Sequence, residues 1–129
     1  MQGAKLLELA KEAAKKAYAP YSEFFVGAAL LAASGKVYLG CNIENSAYSA
    51  TICAERVAFS KAISEGEREF VAIAVVGGKD DTSTPCYPCG VCRQFIAEFC
   101  NSDFKLYFCN GNDVLEYGYD EILPHRFSL

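Results

Sequence analysis

The chain has 129 residues, 52% of them hydrophobic and 22% charged, with a formal net charge of −4. That size and composition fit a single domain, residues 1–129, and exclude a disordered chain. The acidic balance argues against a nucleic-acid partner, and no apolar run approaches the ~18 residues that a membrane span needs.

Residues 3–18 read as an amphipathic helix, with Leu6, Leu7, Ala10, Ala13, Ala14 and Ala17 at helical spacing and Glu and Lys opposite. This N-terminus has no long apolar centre, so it reads as neither a signal nor a transit peptide, and a cytoplasmic chain is expected. The run 26–33 (VGAALLAA) and the segment 36–41 (KVYLGC) predict a hairpin turning at Ser34-Gly35. The polar stretch from Asn42 to Thr51 is long for a plain connection, and such loops often carry function. Residues 52–64 predict a second helix, with Val57, Ala58, Ala62 and Ile63 apolar. Residues 70–76 (FVAIAVV) predict a strand buried on both faces. A third helix is expected from about 89 to 100, with Val91, Phe95, Ile96 and Phe99 inward. Short strands at 105–109 and 114–117 form a hairpin, while 70–76 and 105–109, joined through a helix, run parallel. The expected fold is an α/β three-layer α-β-α sandwich, with a mixed five-stranded sheet ending in an antiparallel strand.

Seven cysteines and no secretory signal predict reduced thiols rather than a disulfide framework. Cys41, Cys100 and Cys109 read as small buried hydrophobes. Cys53 lies in Cys-Ala-Glu-Arg, and Cys89 and Cys92 lie in Pro-Cys-Gly-Val-Cys-Arg-Gln. Cys89 and Cys92 stand three apart on one helix face. Cys53 and Cys89 each begin a helix, where unpaired N–H groups and the helix dipole favour thiolate. Three thiolates facing one point suit Zn²⁺, and three protein ligands leave a fourth position for water. Arg56, three residues after Cys53, is placed to donate to the sulfurs and offset their charge. Glu55 is the candidate proton carrier. Two rival readings stay open: a redox C-x-x-C, and a structural zinc site with Cys86 as fourth ligand. His125, the only histidine, reads as a surface residue.

These two motifs resemble the zinc-dependent cytidine deaminases, in particular their small homotetrameric three-cysteine branch. Further matching segments are Tyr18-Ala19-Pro20-Tyr21-Ser22, residues 26–30, Gly40-Cys41-Asn42-Ile43-Glu44-Asn45, and Ile122-Leu123-Pro124 with Phe127. The resemblance implies one zinc per chain on Cys53, Cys89 and Cys92, with Glu55 as catalytic proton shuttle. The implied reaction is hydrolytic deamination of cytidine and 2′-deoxycytidine by a zinc-bound hydroxide, releasing ammonia, in pyrimidine salvage. It further implies that backbone at Ala54 and Cys89 holds the pyrimidine edge. Asn42 and Glu44 would bind the ribose 3′-hydroxyl, and Phe24 and Phe127 would stack on the base. Phe127 would reach in from another subunit of a homotetramer with shared active sites, and Tyr48 would lie in the loop crossing that interface. Two departures stand out. The loop before the metal pair, 84–89 (TPCYPC), carries the extra Cys86, and the chain stops two residues after Phe127. Within the fold, the alternative substrate is another cytosine nucleoside such as blasticidin S. Outside it, the alternative is a non-catalytic zinc-binding or redox module.

Overall fold

A computed structural model describes residues 2–129. Its elements are α1 (Gln2–Ala14), β1 (Phe25–Ala32), β2 (Val37–Cys41), α2 (Ala54–Ser64), β3 (Phe70–Gly78), α3 (Gly90–Phe99), β4 (Lys105–Asn110), β5 (Asp113–Gly118) and α4 (Tyr119–Ile122). The five strands form one sheet in the order β2-β1-β3-β4-β5. Only β3 and β4 are parallel, with Ile73 opposite Leu106; the other pairs are antiparallel.

Alternation along the strands builds two cores. Ala28, Leu30, Ile73, Val75, Leu106 and Phe108 face α2, α3 and α4. Their neighbours Ala29, Ala72, Ala74, Val76 and Tyr107 face α1 through Leu6, Leu7, Ala10 and Ala14. This is the expected three-layer sandwich. On the α2 side, fully buried Phe59 sits among Phe70, Phe95, Phe99 and Phe104, with ring centroids 5.0 to 6.3 Å away. Edge-on and offset ring contacts of this kind lock α2 to α3.

Glycine sets how closely two helices approach the sheet. A Cβ on Gly27 would stand 2.0 Å from the Ala10 carbonyl oxygen, and one on Gly40 would stand 2.3 Å from the Ala54 carbonyl oxygen. Gly27 thus admits α1 on one face, and Gly40 admits the first turn of α2 on the other.

Several expectations need correction. The first helix ends at Ala14, not near residue 18. Tyr18 instead donates its N–H to the Asn42 carbonyl and accepts from the Glu44 N–H, so the chain leaves the helix to pair with the polar loop. That loop is more ordered than its composition suggests, with a 3₁₀ turn at Tyr48–Ala50 and an Ile43–Ile52 bridge. Val91, expected inward, is 61% exposed on the first turn of α3. Cys41 and Cys100 are half-buried, while Cys109 is buried. The short helix α4 has no counterpart among the expected elements.

Candidate metal and active centre

Cys53 caps the N-terminus of α2 and Cys89 caps that of α3. Both have extended backbone, which turns each chain sharply into its helix and aims both thiols at one point. Cys92, one turn into α3, is fully buried, and its N–H donates to Cys89 Sγ at 3.5 Å. The three sulfurs lie within 4.8 Å of one another, with Cys53 Sγ and Cys89 Sγ 3.8 Å apart. Tetrahedral zinc with Zn–S bonds of about 2.3 Å holds its sulfurs roughly 3.8 Å apart, so the trio fits that ion. Among the described residues no fourth metal-ligating side chain joins this cluster. Cys86, the rival ligand, lies outside it. Its Sγ packs against Gly77, where a Cβ would come within 2.7 Å of it, and burial pushes its thiol up to about 12. His125 is exposed.

The electrostatics favour anionic sulfur at Cys53. Donation from the Cys92 thiol, then from Arg56 and Cys89, draws Cys53 down to about 5 against the opposing effect of burial. Cys92, as the donor in that pair and buried, is held strongly upward. Arg56 Nη2 lies 3.6 Å from Cys53 Sγ and 3.5 Å from the Thr51 carbonyl. Glu55 is 4% exposed in the first turn of α2. Burial, with the Cys53 charge nearby, lifts its carboxyl to about 7.

The other expected residues surround this centre unevenly. Asn42 is buried, and both ends of its side-chain amide hold the start of β1. Its Oδ1 accepts from the Val26 N–H at 2.9 Å, and its Nδ2 donates to the Phe24 carbonyl at 2.8 Å. Glu44 is only half-buried. Its carboxylate accepts from the N–H groups of Tyr21 and Ser22, at 2.9 and 3.1 Å, and from the Ser22 hydroxyl. The Ser22 hydroxyl bond and these backbone bonds hold its carboxyl below its ordinary value. Phe24 lies over Gly77 beside Cys86. Ala54 is buried against Gly40. Tyr48 and Phe127 are 76% and 66% exposed, and the Phe127 carbonyl accepts from Gln94 Nε2 at 3.2 Å.

Arg93 has a role that its place in the motif did not disclose. Its Nε donates to the Pro88 carbonyl at 2.8 Å, Nη1 donates to the Ile122 carbonyl, and the Tyr119 hydroxyl donates to the Arg93 carbonyl. Arg93 therefore ties the peptide just before Cys89 to α4. The only sequence signal was a cation next to a metal-binding pair.

Residues 1–108 match the sequence family described as "Cytidine and deoxycytidylate deaminase zinc-binding region". A cytidine deaminase from Sporosarcina psychrophila is 55% identical over 125 residues, covering 96% of this chain and 90% of its own. The 1.6 Å crystal structure of cytidine deaminase from Burkholderia pseudomallei superposes with a TM-score of 0.90 at 45% identity, covering 98% of this chain and all of that one. A blasticidin-S deaminase from Bacillus cereus is more distant, at 29% identity over 129 residues, covering 95% of this chain and 91% of its own.

Proposed function

This chain belongs to the zinc-binding cytidine deaminases, and from that premise we propose how its residues deaminate cytidine and 2′-deoxycytidine to the corresponding uridines. The observation that carries the reading is a buried carboxyl, Glu55, in the helix turn that directly follows the metal-ligating Cys53. Cys53, Cys89 and Cys92 hold the ion. When bound, zinc acts as a Lewis acid that makes water nucleophilic near neutral pH. Arg56 draws charge from the Cys53 sulfur and so keeps a three-thiolate site from becoming too electron-rich.

Glu55 moves the protons. A carboxyl near 7 can accept and release a proton at neutral pH, which an ordinary exposed glutamate does poorly. Glu55 accepts a proton from the attacking water and passes it to N3 of the pyrimidine. It then takes the remaining hydroxyl proton to the C4 amino group, which leaves as ammonia. Backbone at Ala54 and Cys89 holds the pyrimidine edge, and Phe24 and Phe127 stack on the base. Asn42 and Glu44 read the ribose 3′-hydroxyl. Their hydrogen bonds to the 21–26 segment support this by fixing both side chains beside Phe24.

We further infer a homotetramer with shared sites, in which Tyr48 lies at a subunit contact and Phe127 reaches a neighbour's base. Two such exposed aromatics support this, since aromatic side chains are enriched in interface cores. The seven unpaired thiols suit the reducing cytoplasm, where a role in pyrimidine salvage would lie. No helix of the described residues is long and apolar enough to cross a membrane. Blasticidin S is the weaker substrate, given the 29% and 55% identities. A redox or purely structural centre is disfavoured by the three-thiol cluster with its buried carboxyl.

The test is metal analysis beside an ultraviolet assay. The protein should carry about one zinc per chain, and cytidine and deoxycytidine should be consumed with stoichiometric ammonia. Free cytosine and 3′-deoxycytidine should be poor substrates. Zinc-loaded protein that leaves cytidine intact would overturn the reading.

A further inference from the structure

Of the three ligating residues, Cys92 is buried in α3 and Cys53 is half-buried, but Cys89 is exposed at the end of the 79–88 loop. Burial therefore does not fix Cys89: α3 holds it from one side, through the Arg93 N–H to its carbonyl and the Cys92 N–H to its sulfur, and the peptide just before it holds it from the other. Tyr87 anchors that peptide. Its ring meets Phe108 of β4 edge-to-face at 4.8 Å and Tyr117 of β5 at 5.9 Å, and its hydroxyl lies 3.2 Å from that of Tyr117. Phe108 is itself fully buried and 5.8 Å from Tyr117, so the ring of Tyr87, though 45% exposed, docks on one buried and one half-buried aromatic. Cys86, the preceding residue, fills the notch at Gly77. On the following side, Arg93 holds the Pro88 carbonyl. Proline at 88 adds stiffness by restricting its own φ and the backbone of Tyr87.

We propose that Tyr87 is a positioning residue for the metal centre: its aromatic dock on Phe108 and Tyr117 sets the place of Cys89. The proposal rests on zinc occupying the three-thiol cluster. Groups that orient metal ligands typically change metal affinity 10- to 100-fold when removed. The proposed step is purely one of placement, and Tyr87 touches neither metal nor substrate.

The experiment follows release of zinc from the loaded protein to an excess of a colorimetric chelator, with folding checked by circular dichroism. Tyr87→Ala should release zinc at least about tenfold faster than wild type. Tyr87→Phe keeps the ring contacts and should stay within about threefold. Leu7→Ala opens a cavity on the opposite face of the sheet; it should lower the melting temperature without changing release. Wild-type release from folded Tyr87→Ala would overturn the proposal. If Tyr87→Ala does not fold, Tyr87→Leu keeps apolar bulk without ring edges, and it should also release zinc several-fold faster; an unchanged rate there overturns the proposal equally. Wild-type protein that binds no zinc would overturn the metal reading and this proposal with it. Zinc-loaded wild type with unchanged variants would overturn this proposal alone.

Discussion

Cys53 Sγ and Cys89 Sγ stand 3.8 Å apart although they lie 36 positions apart in the chain. Replacing Cys53, Cys89 or Cys92 with Ala should abolish zinc binding, because two thiols and water hold the ion far less well. Cys86→Ala should keep a full complement. Metal analysis of the four purified variants checks this, and zinc-free Cys86→Ala beside zinc-replete Cys89→Ala would contradict the assignment.

Glu55→Gln should fold and keep its zinc but lose turnover. Removing a general acid–base group costs ~10²–10⁴-fold, and one carboxylate serving several transfers should reach the upper end. The loss should fall on kcat rather than on nucleoside binding. A variant within tenfold of wild type would put the proton carrier elsewhere.

Gly40→Ala forces a methyl against the Ala54 carbonyl and the Ala58 nitrogen, at 2.3 and 2.6 Å. Overpacking of this kind costs ~1–3 kcal/mol. Because α2 carries Cys53, Gly40→Ala should also weaken zinc retention. Gly27→Ala, which meets α1 instead, should destabilise comparably and leave zinc retention unchanged. Paired thermal melts and chelator titrations separate the two effects.

In protein stripped of metal by a chelator, Cys53 and Cys86 should react with iodoacetamide in opposite fashion. Cys53, near 5, is mostly thiolate at pH 7, and its rate should fall only as the pH drops through about 5. Cys86, near 12, should stay unmodified until well above pH 9. Peptide mapping after brief alkylation reads both sites, and equal labelling at pH 7 would refute the ordering.

Phe127→Ala should raise KM about 5- to 100-fold with zinc still bound, since base–aromatic stacking is worth ~1–3 kcal/mol. Mixing Glu55→Ala chains with Phe127→Ala chains, under subunit exchange, should restore some activity if the ring acts in trans. No recovery, or a fully active monomer in sedimentation, would remove that role.

Much of the fold was legible because its elements carry simple local patterns. The β-branched run at 70–76 could only be a strand covered on both faces, and Cys53 and Cys89 stood where helices begin. What escaped depended on partners distant in sequence. Nothing local says that Tyr18 gives up helical bonds for Asn42 and Glu44. Helical spacing places Val91 inward, but in the first turn of α3 it is Cys92 that turns into the core, and Val91 beside it faces out. Phe59 carries no local signal, because its value lies in four rings from elsewhere in the chain. Gly40 did carry a signal, a glycine within a strand pattern, but what it admits could be named only once α2 was seen against it.

The placement of the thiols also bears on how the chain unfolds. Cys53 precedes the central strand β3 and Cys89 follows it, so one ion spanning them closes a loop around the strand that joins both halves of the sheet. Only the folded chain brings the three thiols together, so the ion binds the native state far better than the denatured ensemble, and metal binding becomes part of the folding free energy. By mass action, free zinc at 1,000 times its dissociation constant adds about 4 kcal/mol to stability. Scarce zinc would therefore lower the amount of folded protein as well as its activity.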